Sequence, residues 1–77
     1  MESFIYSLTE KIYEGEMESL VAPAEGGEIT ILPNHMPVIT TLKKGSLRLK
    51  TKTDLINRDI EGGVLAVDQK KVLVLVT

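Results

Sequence analysis

Along most of this chain, apolar residues fall either at every second position or in short runs, and Gly, Pro, Asn, Asp or paired Lys separate them. In the segment Ser46 to Lys52, Leu47, Leu49 and Thr51 alternate with Arg48, Lys50 and Lys52. A period of two sends successive side chains to opposite faces of a strand, so the leucines face a core and the basic residues face water. A helix would scatter the same charges around its circumference. The segment Val72 to Val76 is apolar throughout. Its shortness and β-branching predict a strand, and its unbroken apolarity predicts one that is covered on both faces.

The same reading predicts further strands at Glu2 to Leu8, Glu16 to Ala22, Glu28 to Leu32, Val38 to Leu42, Leu55 to Ile60 and Val64 to Val67. Between them lie Gly26-Gly27, Pro33-Asn34, Lys43-Lys44-Gly45, Thr53-Asp54, Gly62-Gly63 and Asp68 to Lys71, which supply turn residues of hairpin length. No stretch has the composition of a linker, and no internal repeat is present. The predicted fold is all-β, a single domain over residues 1–77. Its economical form is a two-sheet antiparallel β-sandwich of about eight to ten short strands.

Composition narrows the function. With 77 residues, 43% of them hydrophobic and 26% charged, the chain has room for one modest core and is not disordered. A formal net charge of -2 gives nothing to hold a phosphate backbone, so a nucleic-acid partner is not expected. The absence of cysteine excludes a disulfide framework, a thiolate metal site and a cysteine nucleophile. No apolar run approaches the roughly 20 residues of a spanning helix, so membrane association is expected only through partners.

Side chains that could do chemistry are few. The lone histidine, His35, sits in Pro33-Asn34-His35-Met36-Pro37, where two prolines hold the backbone extended. Nucleophilic and metal sites need several converging groups, and His35 has none nearby in sequence, so it reads as a residue of a shaped, partner-facing loop. Glu14, Glu16 and Glu18 alternate as if along one strand face, which fits a solvated surface; no ligand-spaced loop accompanies them. Arg48, Lys50 and Lys52 form a stripe without interleaved aromatics, again a solvated or edge-protecting face. Gly26-Gly27 and Gly62-Gly63 lack the lysine and following helix of a phosphate loop and read as turns. Neither a catalytic residue, a metal site nor a cofactor is expected, which leaves an interaction module.

Three segments, taken in order, resemble the amino-terminal domain of the ATP synthase epsilon subunit, called delta in mitochondria. The first is Ile12-Tyr13-Glu14-Gly15 leading into Glu16 to Pro23. The second runs from Glu25-Gly26-Gly27-Glu28 through Pro33-Asn34-His35-Met36-Pro37 to Lys43-Lys44-Gly45, similar to the family's E-G-E, P-G-H-A-P and K-P-G steps. The third is Glu61-Gly62-Gly63-Val64-Leu65-Ala66-Val67 with the closing Lys71 to Leu75. There are departures: Asn34 and Thr30 replace Gly, Met36 replaces Ala, Lys44 replaces Pro and Glu61 replaces Ser. Asn34 is the mildest, since Asn tolerates the left-handed conformation that Gly implies there.

What the resemblance implies is a non-catalytic central-stalk domain that binds the gamma subunit and rests on the membrane-embedded c ring, coupling proton or sodium flow to ATP synthesis. By motif position, His35 and Thr40, with Ser7, would lie towards gamma, and Glu28 would face the c ring. The family continues into two helices that inhibit hydrolysis and in some members bind ATP. This chain stops at Thr77, so the helical domain is expected to be absent and ATP binding is not carried over. The implied location is the cytoplasmic side of the bacterial inner membrane, as a peripheral subunit, or the equivalent organellar face. Two alternatives are a free-standing epsilon-like adaptor outside any ATP synthase and a small enzyme built on Glu14 and Glu16, the latter disfavoured by its missing supporting groups.

Overall fold

A computed structural model describes residues 1–34 and 36–77; His35 lies outside the described residues. It contains nine strands: β1 (Glu2–Ser7), β2 (Lys11–Glu16), β3 (Ser19–Ala24), β4 (Gly27–Ile31), β5 (Val38–Leu42), β6 (Gly45–Lys50), β7 (Leu55–Ile60), β8 (Gly63–Val67) and β9 (Lys71–Val76). They form two layers. The first sheet runs β2-β1-β9-β8-β5 and the second β4-β3-β6-β7, and a single bridge, Ala24 to Leu42, joins the layers at one corner. Every pairing is antiparallel except β1 with β9, which run side by side in parallel. That exception follows from connectivity, because β9 reaches the middle of the first sheet only after the chain has built the second.

The core lies between the sheets and follows the period of two. Leu20 and Ala22 of β3, Leu47 and Leu49 of β6, Leu65 of β8 and Val74 of β9 are all buried, while Arg48 and Lys50 face solvent as the alternation predicts. Three strand boundaries differ from expectation, each for a local reason. A separate β2 exists where the sequence suggested only a lead-in, so Glu14 and Glu16 share the outer face of β2 but Glu18 lies in the break before β3. β1 stops at Ser7, whose hydroxyl accepts the N–H groups of Thr9 (3.3 Å) and Glu10 (3.1 Å) and turns the chain. β6 stops at Lys50 because Thr51 plays the same part, accepting the N–H groups of Thr53 (3.3 Å) and Asp54 (3.0 Å). Lys52 therefore belongs to a turn and not to the basic face of β6.

Two backbone positions confirm specific residue choices. Asn34 adopts φ 67, the left-handed conformation that the shaped loop demands. Gly63 opens β8 at φ 152, and a Cβ there would stand 2.3 Å from the Leu75 carbonyl oxygen. Nothing larger than glycine allows β8 and β9 to approach so closely.

Candidate protein interface

The strand β9 overturns one sequence reading. Its residues alternate between buried and exposed, so Val72, Val74 and Val76 enter the core while Leu73 and Leu75 are 39% and 50% exposed. The apolar run is covered on one face only. Residues directly opposite one another across a ladder share a face, and the register extends the exposed leucines into two rows. Ile39, Ala66, Leu73 and Phe4 form one, and Thr41, Val64, Leu75 and Tyr6 form the other. Ile39 is 79% and Val64 43% exposed. The outer face of the first sheet is thus a continuous apolar surface four strands wide, bordered at β2 by Glu14 and Lys11. A contiguous apolar patch of this kind on a small domain marks an interaction surface.

Its border is polar and locally paired. The Tyr6 hydroxyl donates to the Glu14 carboxylate at 2.7 Å, and this bond to an anion raises the tyrosine pKa above its ordinary value. The Lys11 ammonium lies 3.7 Å from the other oxygen of Glu14. An apolar centre with a charged rim is the usual anatomy of a protein–protein interface.

The outer face of the second sheet is different in kind. The Arg48 guanidinium donates to the Glu28 carboxylate at 2.8 Å, and the Ser46 hydroxyl donates to Asp59 at 2.8 Å. At one end of the sandwich, Arg58 of β7 reaches across to Glu10 of the β1–β2 turn and ties the two sheets together. Among the described residues no group of three or more His, Asp or Glu side chains is placed to hold a metal ion, and no helix is long and apolar enough to cross a membrane.

The site residues drawn from the resemblance take separate places. Ser7 caps the β1–β2 turn beside Val76. Thr40 stands opposite the buried Leu65, on the reverse side of β5 from Ile39 and Thr41, and its hydroxyl donates to the Thr41 carbonyl at 3.3 Å. Glu28 is on β4, paired with Arg48 on the second sheet. His35 falls between Asn34 and Met36 in the segment joining β4 to β5, outside the described residues. Sequence reasoning missed the apolar face itself. Its signal was present in the Val72 to Val76 run, which carries more apolar surface than the domain's own core can cover.

Comparison with known proteins gives a consistent result. The family model for the ATP synthase, Delta/Epsilon chain, beta-sandwich domain matches residues 2–77. The chain is 43% identical over 74 residues to the ATP synthase epsilon chain of Nitrosospira multiformis, and 45% identical over 74 residues to that of Psychrobacter arcticus. Each match covers 92% of this chain and 52% of the relative, so the chain spans about half the length of these relatives. In fold it superposes with a chain of the Euglena gracilis mitochondrial ATP synthase (OSCP/F1/c-ring) at a TM-score of 0.90, with 19% identity and coverage of 99% of this chain and 49% of the other. A chain of the Tetrahymena thermophila mitochondrial ATP synthase central stalk/c-ring gives 0.83, with 13% identity and coverage of 99% and 62%.

Proposed function

The chain belongs to the delta/epsilon β-sandwich family of ATP synthases, and on that premise we propose that it is a non-catalytic rotor domain that docks on the gamma subunit through the outer face of its first sheet and meets the c ring with the side that carries Glu28. The observation that carries this reading is the apolar double row over β1, β9, β8 and β5. A surface of that composition stays in water only at a cost. Covering the exposed half of each leucine with a partner recovers about 1 kcal/mol apiece. Rigid strands present these side chains already ordered, so little conformational entropy is lost on docking.

His35 and Thr40, with Ser7, are assigned to the gamma side in this reading by the resemblance alone, since Thr40 faces away from the apolar rows on β5; Glu28 belongs on the ring side. The domain then couples ion flow to ATP synthesis by transmitting torque rather than by making or breaking bonds, and it works at the cytoplasmic surface of the membrane without entering it. Titration of purified gamma tests the assignment. His35→Ala weakens binding and leaves the melting temperature unchanged, whereas Glu28→Ala leaves gamma binding intact. Reversal of those two results exchanges the faces. Failure of the wild-type domain to bind gamma at all removes it from the rotor and leaves a free-standing adaptor.

A further inference from the structure

At the β2 border of the apolar face the ladder slips by one residue. Ile5 pairs with Tyr13, but the next residue, Tyr6, pairs with Lys11, so Ile12 is the extra residue of a β-bulge. Along a regular strand neighbouring side chains point to opposite faces, whereas here Ile12 and Tyr13 both pack against the core. The slip also returns Lys11 and Glu14 to one face, opposite Tyr6 and Phe4 respectively. Bulges re-aim side chains in this way.

The result is a short polar chain around one aromatic ring. Tyr6 donates its hydroxyl proton to Oε2 of Glu14 at 2.7 Å, and the Lys11 ammonium lies 3.7 Å from Oε1. Both carboxylate oxygens are therefore engaged, and lysine and glutamate cancel in charge. A tyrosine hydroxyl has one proton and two lone pairs. With its proton held by Glu14, the Tyr6 oxygen can only accept from a newcomer. Packing does not call for this hydroxyl, because Tyr6 is half-buried at the end of an exposed row and a phenylalanine, as at position 4, would cover the same sheet.

We propose that Tyr6 is a specificity-determining residue of the gamma interface, accepting a hydrogen bond from a donor on gamma, and that Glu14 is a positioning residue that fixes the direction of the phenol. This deepens the reading above and rests on it, since the row Thr41, Val64, Leu75 and Tyr6 runs unbroken across the face assigned to gamma. Tyrosine suits the place: its ring adds apolar contact with few rotatable bonds, and such residues dominate binding energy at interfaces. A backbone N–H, an amide or a guanidinium on gamma meets an oxygen already turned to receive it, with no proton to displace. A carboxylate meets lone pairs and the Glu14 anion, and is rejected.

Calorimetric titration of purified gamma compares the wild-type chain with variants at both positions. Tyr6→Phe, which keeps the ring and loses the acceptor, weakens gamma binding roughly threefold to tenfold, and Tyr6→Ala about thirtyfold. Glu14→Ala weakens it about threefold and adds nothing in the Tyr6→Phe background. Glu14→Gln, whose carbonyl still accepts from the phenol, stays within about twofold of wild type. Melting temperatures barely move, because the bond is exposed. The chain has no tryptophan and two tyrosines, so tyrosine emission reports the bond: a phenol donating to a carboxylate is quenched, and Glu14→Ala brightens it. Tyr6→Phe that binds gamma as tightly as wild type overturns the proposal, and if Leu75→Glu abolishes binding in the same series, the gamma-facing sheet survives it. Glu14→Ala whose cost persists in Tyr6→Phe, or which leaves emission unchanged, overturns the positioning role. A wild-type chain that does not bind gamma refutes both the proposal and the reading beneath it.

Discussion

Two neighbouring residues of β9, Val74 and Leu75, separate the core from the proposed interface, and their truncation has opposite consequences. Val74 lies between Ile5 and Leu65 in the register, and all three have no exposed surface. Val74→Ala removes two carbon atoms, worth about 0.8 kcal/mol each in transfer, and adds a cavity that strands hydrogen-bonded on both sides cannot close, for about 2 kcal/mol in all. In a domain of this size that lowers the melting temperature by roughly 8–16 °C. Leu75→Ala removes three carbon atoms that are already 50% exposed, which costs about 1 kcal/mol and opens no cavity. Its effect appears on binding if the proposed interface holds, since the half still exposed is the half it assigns to gamma: about 1 kcal/mol, or roughly fivefold in Kd. Leu75→Glu, which places a charge in the same spot, weakens binding far more. Urea denaturation and calorimetric titration of gamma against the three variants measure both quantities. If folded Leu75→Glu binds gamma like wild type, the outer face of the first sheet is not the interface. If Val74→Ala and Leu75→Ala melt together, the assignment of inner and outer faces on β9 is wrong.

Three further outcomes follow from packing and charge. Leu49→Ala costs about 2 to 5 kcal/mol in denaturant titration because Leu49 is buried, whereas Arg48→Ala, which breaks only an exposed ion pair with Glu28, costs at most about 1 kcal/mol. Gly63→Ala destabilises by at least about 2 kcal/mol, read by the same titration, since the φ of 152 and the nearby Leu75 carbonyl both reject a Cβ. Asp68 has its pKa lowered, first by the N–H of Lys70 (2.7 Å) and then by that of Lys71 (2.8 Å). A depressed folded-state pKa means that this stabilisation is present above the ordinary carboxylate value and is lost as pH falls through the folded one. Asp68→Asn therefore flattens the acid limb of a stability-versus-pH curve and leaves its neutral slope unchanged.

Much of the fold could be read from local chemistry. The alternation at Leu47 and Leu49 gave the inner face of β6, and the glycine that the resemblance places at position 34 implied a left-handed conformation, which Asn34 adopts. What could not be read were features that depend on distant neighbours. β2 has the sequence Lys-Ile-Tyr-Glu-Gly-Glu, with charges at both ends and a glycine inside, and it becomes a strand only because β1 lies alongside. The pairing of Glu28 with Arg48 joins residues 20 positions apart across β3, a partner that local sequence does not reveal. The two-sided burial expected for β9 failed because apolarity along a strand does not say which neighbours pack on each face, and no second layer lies over Leu73 and Leu75 among the described residues.

The position of β9 also governs how the domain comes into being. It lies between β1 and β8, parallel to the first strand, so Phe4 waits for Leu73 as its neighbour. During synthesis the β1–β2 hairpin can close early, yet its inner edge stays bare until Lys71 to Val76 have left the ribosome. Parallel pairings of distant segments form slowly, because loop closure must precede any reward from contact. A nascent chain halted before Lys71 is consequently not a smaller sandwich but two unfinished sheets with open edges, prone to pair with other copies of themselves.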